Sequence, residues 1–266
     1  MILASLSLEK MNSYNLMSEW IVGRNPVFET LRAGRRQFHQ LQVARGMEEN
    51  DRVRDVFRLA AERDLSPLRV DKKALNQRGE NHQGLALQVG DYPYVGVDDI
   101  LARAEAREEP LLVLLLDVLK DPQNVGTLIR TAEAVGVHGV VLPYRRTATI
   151  TPAVVSASSG ACEHMLVTQA NLAQTITLLK EEGAWVVGLE GAEGSQTPDE
   201  IDLTGDIAVV VGSEGSGMRR LVKSSCDFLM ALPMRGKIES LNASVAGSIA
   251  LYLIWEARSY LGGRKF

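Results

Sequence analysis

Cysteine is scarce: Cys162 and Cys226 are the only two in 266 residues, and they stand in no CxxC or other ligand-like spacing. The four histidines, His39, His82, His138 and His164, form no HxxxH pair. These shortages argue against a metal site and against a disulfide framework, so reduced thiols in a cytoplasmic setting are the default. No run approaches the roughly 20 apolar residues that a membrane span requires. The apolar start Met1–Leu8 is short, lacks a basic region and runs into polar Glu9–Tyr14, so it does not read as a signal peptide. Residues 1–18 read instead as a flexible tail. Also missing are a GxGxxG fingerprint and a GKS or GKT phosphate loop, which argues against a dinucleotide or nucleoside-triphosphate fold.

Positive charge is short as well. The chain carries 29 Lys and Arg against 33 Asp and Glu, a net charge of −4. That balance speaks against a nucleic-acid partner only if charge is evenly spread. It is not: residues 1–90 sum to +3 and residues 91–266 to −7. With 45% hydrophobic and 23% charged residues, the composition is that of an ordinary globular protein with ample core.

Residues 19–92 read as a small mixed α/β domain. Pro26–Ala33 is a short helix closed by Gly34, and Phe38–Val43 is a strand. Asp51–Asp64 has Val53, Val56, Phe57, Ala60 and Ala61 at helical spacing with Arg52, Arg54, Arg58 and Arg63 around them. Leu68–Val70 and Leu85–Val89 are strand-like. Residues 93–110 form a linker with a charged helix over Asp98–Glu109. From 111 to 266 apolar runs alternate with helical patterns. Strands are predicted at Leu111–Leu116, Gly139–Leu142, Met165–Thr168, Ala184–Leu189, Ile207–Gly212 and Phe228–Leu232. Helices are predicted at 124–135, 151–160, 171–182, 216–223 and 241–258. Strands built almost wholly of Val, Ile and Leu imply burial on both faces, hence a parallel sheet covered by helices.

Three segments carry more than packing needs. In Asp121–Gly136, Pro122 breaks the chain after a strand and Asn124 suits a helix N-cap. Val125, Leu128, Ile129, Ala132 and Val135 form the buried stripe. Arg130 lies about 140° from Val125 on the wheel, so the core does not require it. It reads equally as a solvated partner of Glu133. Val209–Met218 is a buried strand running into a glycine-rich turn, where small residues allow close approach to backbone groups. Glu214 inside that turn disfavours a phosphate and suits a cation, a hydroxyl donor or an arginine. Leu232–Ala250 passes Pro233 and Gly236 into a helix starting near Ser240. Its small residues, Ala243, Ser244, Ala246 and Gly247, serve either tight packing or a ligand.

Together these segments resemble the three signature motifs of the SpoU class of RNA 2′-O-ribose methyltransferases. Asn124–Ala132 is similar to the first motif, Val211–Gly217 to the second and Leu232–Ala246 to the third, in the same order. Gly23-Arg-Asn-Pro-Val-Phe-Glu29 and His82–Ala86 are similar to the substrate-binding domain that precedes the catalytic domain in this class. The combination most resembles the bacterial enzymes acting on a guanosine of 23S ribosomal RNA. The resemblance covers residues 20–260. It implies an α/β fold in which a C-terminal parallel-sheet trefoil-knot domain follows the smaller N-terminal mixed α/β domain. It also implies S-adenosylmethionine as cofactor, RNA as partner and a homodimer, with no metal and no membrane.

Carried over by motif position, Gly212, Leu232 and Leu241 would contact the methyl donor. Asn124, Arg130, Glu214, Ser240 and Asn242 would form the catalytic and RNA-facing group. The class proposes Arg130 as general base, yet an arginine stays protonated in proteins. A role as a cation that orients a phosphate or a developing alkoxide fits its chemistry better. Other targets of the same class, in transfer RNA or elsewhere in ribosomal RNA, remain alternatives, as does a non-catalytic RNA-binding protein on the same fold.

Overall fold

The computed structural model describes residues 18–238 and 240–264. All but Ser18 of the expected tail at 1–18 lies outside them. The chain divides into two compact units. One comprises the described residues up to Pro93 together with Ile150–Glu163; the other comprises Tyr94–Thr149 and the described residues from His164 onward.

The first unit holds β1 (Glu19–Val22), α1 (Arg24–Ala33), β2 (Phe38–Ala44), α2 (Asp51–Ala61), β3 (Pro67–Val70), α3 (Lys72–Asn76) and β4 (Leu85–Val89). Its sheet has the order β1-β4-β2-β3, with β2 and β3 parallel and the other pairs antiparallel. Gly34 ends α1 in the left-handed conformation, φ 64°, as its position in the sequence predicts. Asn50 caps α2 by accepting from the Val53 N–H at 3.1 Å. The amphipathic pattern is realised, with Val53, Val56, Leu59 and Ala60 buried. The arginines around it are largely neutralised: Arg54 pairs with Asp51, Arg58 with Asp55 and Glu62, and Arg63 with Glu62. Arg52 lies over the Phe28 ring at 4.0 Å.

The second unit contains α4 (Val97–Arg107), β5 (Leu112–Leu116), α5 (Pro122–Ala134) and β6 (Gly139–Leu142). The following helix, α6 (Pro152–Ala157), falls in the first unit. Then come β7 (Val167–Gln169), α7 (Leu172–Glu181), β8 (Trp185–Leu189), β9 (Ile207–Val211), α8 (Arg220–Ser225), β10 (Phe228–Met230) and α9 (Ala243–Ala257). The six strands form one sheet, β10-β8-β9-β5-β6-β7, and every pairing is parallel. Alternation along β5 sends Val113 and Leu115 into a core with Ile100, Ile176, Leu179 and Val222 of α4, α7 and α8. On the opposite face α9 crosses α5, and a Cβ at Gly247 would lie 2.4 Å from Leu128 and 3.1 Å from Val211. Thr131 and Ser248 bond through their hydroxyls at 2.8 Å across the same contact. The small residues of α9 therefore do pack tightly on this side. Among the described residues no helix is long and apolar enough to cross a membrane.

A buried ion pair holds the two sequence stretches of the first unit together. Arg36 grips Glu163 through both nitrogens, Nη2 to Oε1 at 2.8 Å and Nε to Oε2 at 3.0 Å, with both side chains fully buried. Arg36 Nη1 also reaches Glu19 at 3.1 Å, and the guanidinium lies 5.0 Å from the Tyr92 ring. Burial alone disfavours the arginine's charge; the charges and hydrogen bonds of Glu163 and Glu19 together outweigh it and raise the Arg36 pKa. Next to the pair, burial pushes the Cys162 thiol up to about 12, which makes it an inert packing residue. A cut after residue 92 would strand Glu163 without its arginine. Removing one partner of such a pair leaves an uncompensated buried charge. Arg36→Met or Glu163→Gln should each destabilise the protein by about 3–5 kcal/mol in urea unfolding, and Arg36→Met/Glu163→Met should recover much of that. A loss below about 1 kcal/mol in either single variant would refute this account.

Candidate active site

The parallel sheet sends the turns after β5 and β9 to the same edge, because neighbouring parallel strands share their C-terminal ends. The first of these turns leads into α5. Asp121, not Asn124, is its N-cap, accepting from the Gln123 N–H at 3.0 Å. Pro122 occupies the first helical position, where its missing N–H costs nothing. Asn124 is thereby moved into the first turn, and its amide is released to point away from the helix backbone.

After β9 the chain turns at once. A Cβ on Gly212 would lie 2.5 Å from the Gly217 carbonyl carbon and the Met218 nitrogen, so only glycine fits there. The turn is closed by the Ser213 N–H bonding to the Gly217 carbonyl at 3.1 Å and the reciprocal bond at 3.0 Å. Gly215 and Gly217 take positive φ, 77° and 63°. The exposed Glu214 sits at the tip.

The third element is the start of α9. Asn242 caps this helix, two residues after the expected start near Ser240: its Oδ1 accepts from the Ser244 N–H at 2.9 Å and the Val245 N–H at 3.2 Å. Its Nδ2 donates outward to Asn124 Oδ1 at 3.0 Å and to Glu214 Oε1. Asn124 Nδ2 donates to the same Glu214 oxygen at 3.0 Å. Asn124, Glu214 and Asn242, one from each of the three segments, thus form a closed cluster. Arg130 and Ser240 are exposed and stand outside it, Arg130 on α5 and Ser240 two residues before the cap.

Gly212 follows β9 directly, Leu232 lies just beyond β10, and Leu241 precedes the cap. Both leucines are half-buried. Among the described residues from Leu232 to Leu241 none takes part in a hydrogen bond within the chain. Among the described residues no group of three or more His, Cys, Asp or Glu is placed to hold a metal ion.

Asp117 has no place in the motif reading. It ends the apolar run Leu112–Leu116, yet it is fully buried. Its N–H donates to the Val211 carbonyl at 2.8 Å, and its carboxylate accepts from the Arg219 N–H at 2.7 Å and Nε at 2.6 Å. It therefore clasps the glycine turn just before its first residue and just after its last. The signal was available: an aspartate at the end of an otherwise apolar strand needs buried partners. The next residue, Val118, is left-handed at φ 63°, which is strained for a β-branched side chain.

The chain is similar in sequence and in fold to known proteins. The SpoU rRNA methylase family profile matches residues 111–252. The profile for RNA 2′-O ribose methyltransferase substrate binding matches residues 20–95. YacO of Bacillus subtilis, assigned to the TrmH family of tRNA/rRNA methyltransferases, is 41% identical over 92% of this chain and 98% of its own. An uncharacterized tRNA/rRNA methyltransferase of Mycobacterium sp. (strain KMS) is 44% identical over 88% of this chain and 75% of its own. Among solved structures, the SpoU methyltransferase AviRb from Streptomyces viridochromogenes, in complex with AdoMet, has the same fold. Its TM-score is 0.75 at 21% identity, over 94% of this chain and 93% of its own. An AdoMet-bound rRNA methyltransferase from Sinorhizobium meliloti aligns with TM-score 0.73 at 25% identity, over 95% and 91%.

Two substitutions probe the local physics. Val118→Gly should stabilise the chain by about 1 kcal/mol by relieving the left-handed strain, whereas Val118→Ala should gain little. Asn242→Ala removes a cap and both bonds to the cluster, and should cost about 1–2 kcal/mol. Thermal unfolding monitored by circular dichroism measures both; a destabilising Val118→Gly would refute the strain assignment.

Proposed function

Since the chain belongs to the SpoU family of RNA methyltransferases, which use S-adenosylmethionine, we propose that it methylates a ribose 2′-hydroxyl of ribosomal RNA, with a guanosine of 23S ribosomal RNA as the target. The observation that carries the site assignment is the Asn124–Glu214–Asn242 cluster, which joins all three signature segments on one carboxylate oxygen. The match of the substrate-binding profile to residues 20–95 supports the choice of a ribose hydroxyl.

S-adenosylmethionine, when bound, supplies a methyl group made electrophilic by its sulfonium. Gly212, Leu232 and Leu241 would hold it through backbone groups. The task of the remaining residues is to bring the hydroxyl in line and remove its proton, and positioning supplies much of the acceleration. Both amides converge on Glu214 Oε1, so Oε2 is left to accept a further hydrogen bond. Glu214 is therefore the proton acceptor, directly or through water. Arg130, protonated and exposed, orients the neighbouring phosphate and stabilises the developing alkoxide. Ser240 lies on the chain leading into the cap, where its hydroxyl can meet the RNA.

The exposed face of α9 supports pairing of two copies. Val245, Ile249 and Tyr252 are 45%, 39% and 48% exposed at i, i+4 and i+7, one apolar stripe along the helix. Tyr252→Asp should convert the dimer into a monomer in sedimentation.

Mapping 2′-O-methyl groups on ribosomal and transfer RNA from cells with and without this protein tests the target. Loss of one guanosine methyl in 23S ribosomal RNA is expected; loss confined to transfer RNA would move the target there. Arg130→Ala should lower turnover by a factor of about 100 or more with donor affinity unchanged, and Arg130→Lys should retain part of the activity. Near-normal turnover by Arg130→Ala would remove it from the mechanism.

A further inference from the structure

Residues 143–149 form a loop after β6, exposed at Tyr144–Arg146, that the site described above does not use. Tyr144 is 68% exposed, and Arg145 and Arg146 are exposed beside it. Among the described residues neither arginine enters an ion pair, nor does Lys120. This is unusual for a stretch of chain whose net charge is −7 over residues 91–266, because carboxylates are in excess. The loop is also not loosely placed. β6 pairs in parallel with β5, so the loop emerges at the same sheet edge as the turn that carries Asn124. It is fastened to that turn: the Leu119 carbonyl accepts from Thr147 Oγ1 and from the Ala148 N–H, each at 2.8 Å. Leu119 is five residues before Asn124. Arg146 takes the left-handed conformation of a tight bend, φ 65°.

We infer that Tyr144–Arg146 is an RNA-contacting loop of the catalytic unit: Tyr144 stacks on a base next to the methylated nucleotide, and Arg145 and Arg146, with Lys120, neutralise the flanking phosphates. An aromatic ring accepts any base face, and arginines beside it fix the strand by its phosphates without reading sequence. This places cationic contacts at the reacting ribose, where an acidic unit would otherwise repel the backbone. The inference rests on RNA being the substrate of the neighbouring site.

The test uses the full chain, radiolabelled S-adenosylmethionine and total RNA from cells lacking this protein, which contains the unmethylated target. Tyr144→Ala and Arg145→Gln/Arg146→Gln should each raise the KM for RNA by about tenfold or more. Arg145→Glu/Arg146→Glu should raise it further, and Tyr144→Phe should restore wild-type behaviour. The arginine pair should also flatten the dependence of log KM on log salt by about one to two. Donor affinity by calorimetry and the unfolding midpoint should stay at wild-type values, which a merely structural loop would not guarantee. Unchanged KM and salt slope, with the wild type active on the same RNA, overturn the inference. Equal loss of donor affinity overturns it too, since the loop would then act on the fold. A wild-type chain that transfers no methyl to this RNA overturns the RNA reading beneath it.

Discussion

The Glu214 carboxylate accepts hydrogen bonds from Asn124 and Asn242 on a single oxygen, and the rest of the site is arranged around that convergence. Asn242 takes part because its side chain works in two directions. The carbonyl oxygen caps α9, while the amide nitrogen faces the cluster. Capping thus orients the donor as a by-product of ending the helix, and the side chain has little freedom left to lose when a ligand arrives.

Such convergence depends on close backbone approach. Gly212 allows the chain to reverse against Gly217 and Met218 with no room for a side chain. Asp117 then holds both ends of the reversal through Val211 and Arg219. Placing a carboxylate at the end of an apolar strand is costly unless every oxygen is satisfied, and here both are. The strained backbone at Val118 adjoins this clasp, in keeping with strain being held where the surrounding structure over-determines it.

The first unit solves a different problem. It is assembled from two stretches far apart in sequence, and the buried Arg36–Glu163 pair joins them. A charge pair of this kind adds little net stability over an apolar pair, but it penalises any arrangement that leaves one partner alone. The arginines of α2 follow the opposite logic: they are spent on neighbouring carboxylates and a phenylalanine ring, so the +3 balance of residues 1–90 does not collect on that helix.

Most of the fold was legible in the residues. Alternating and continuous apolar runs marked all six strands of the parallel sheet, and Gly34 marked the end of α1, because these features report burial and backbone conformation locally. The short strand β1 and the single-turn helix α3 were not legible, since four or five residues carry too little periodicity. Asn124 was misread as a cap, and the start of α9 was placed near Ser240, for a similar reason: a cap is chosen by which of several nearby polar side chains meets the first free N–H groups, and Asp121 and Asn242 do so. The sequence by itself determined the motif residues, the parallel sheet and the polarised charge, all of which are properties of neighbours along the chain. Only the tertiary structure decided that Glu214 would meet two asparagines, that Asp117 would clasp the glycine turn, and that Glu163 would find Arg36. Each of those contacts joins residues about 28 to 127 positions apart, and a separation that long is set by how the sheet stacks its strands rather than by any local preference.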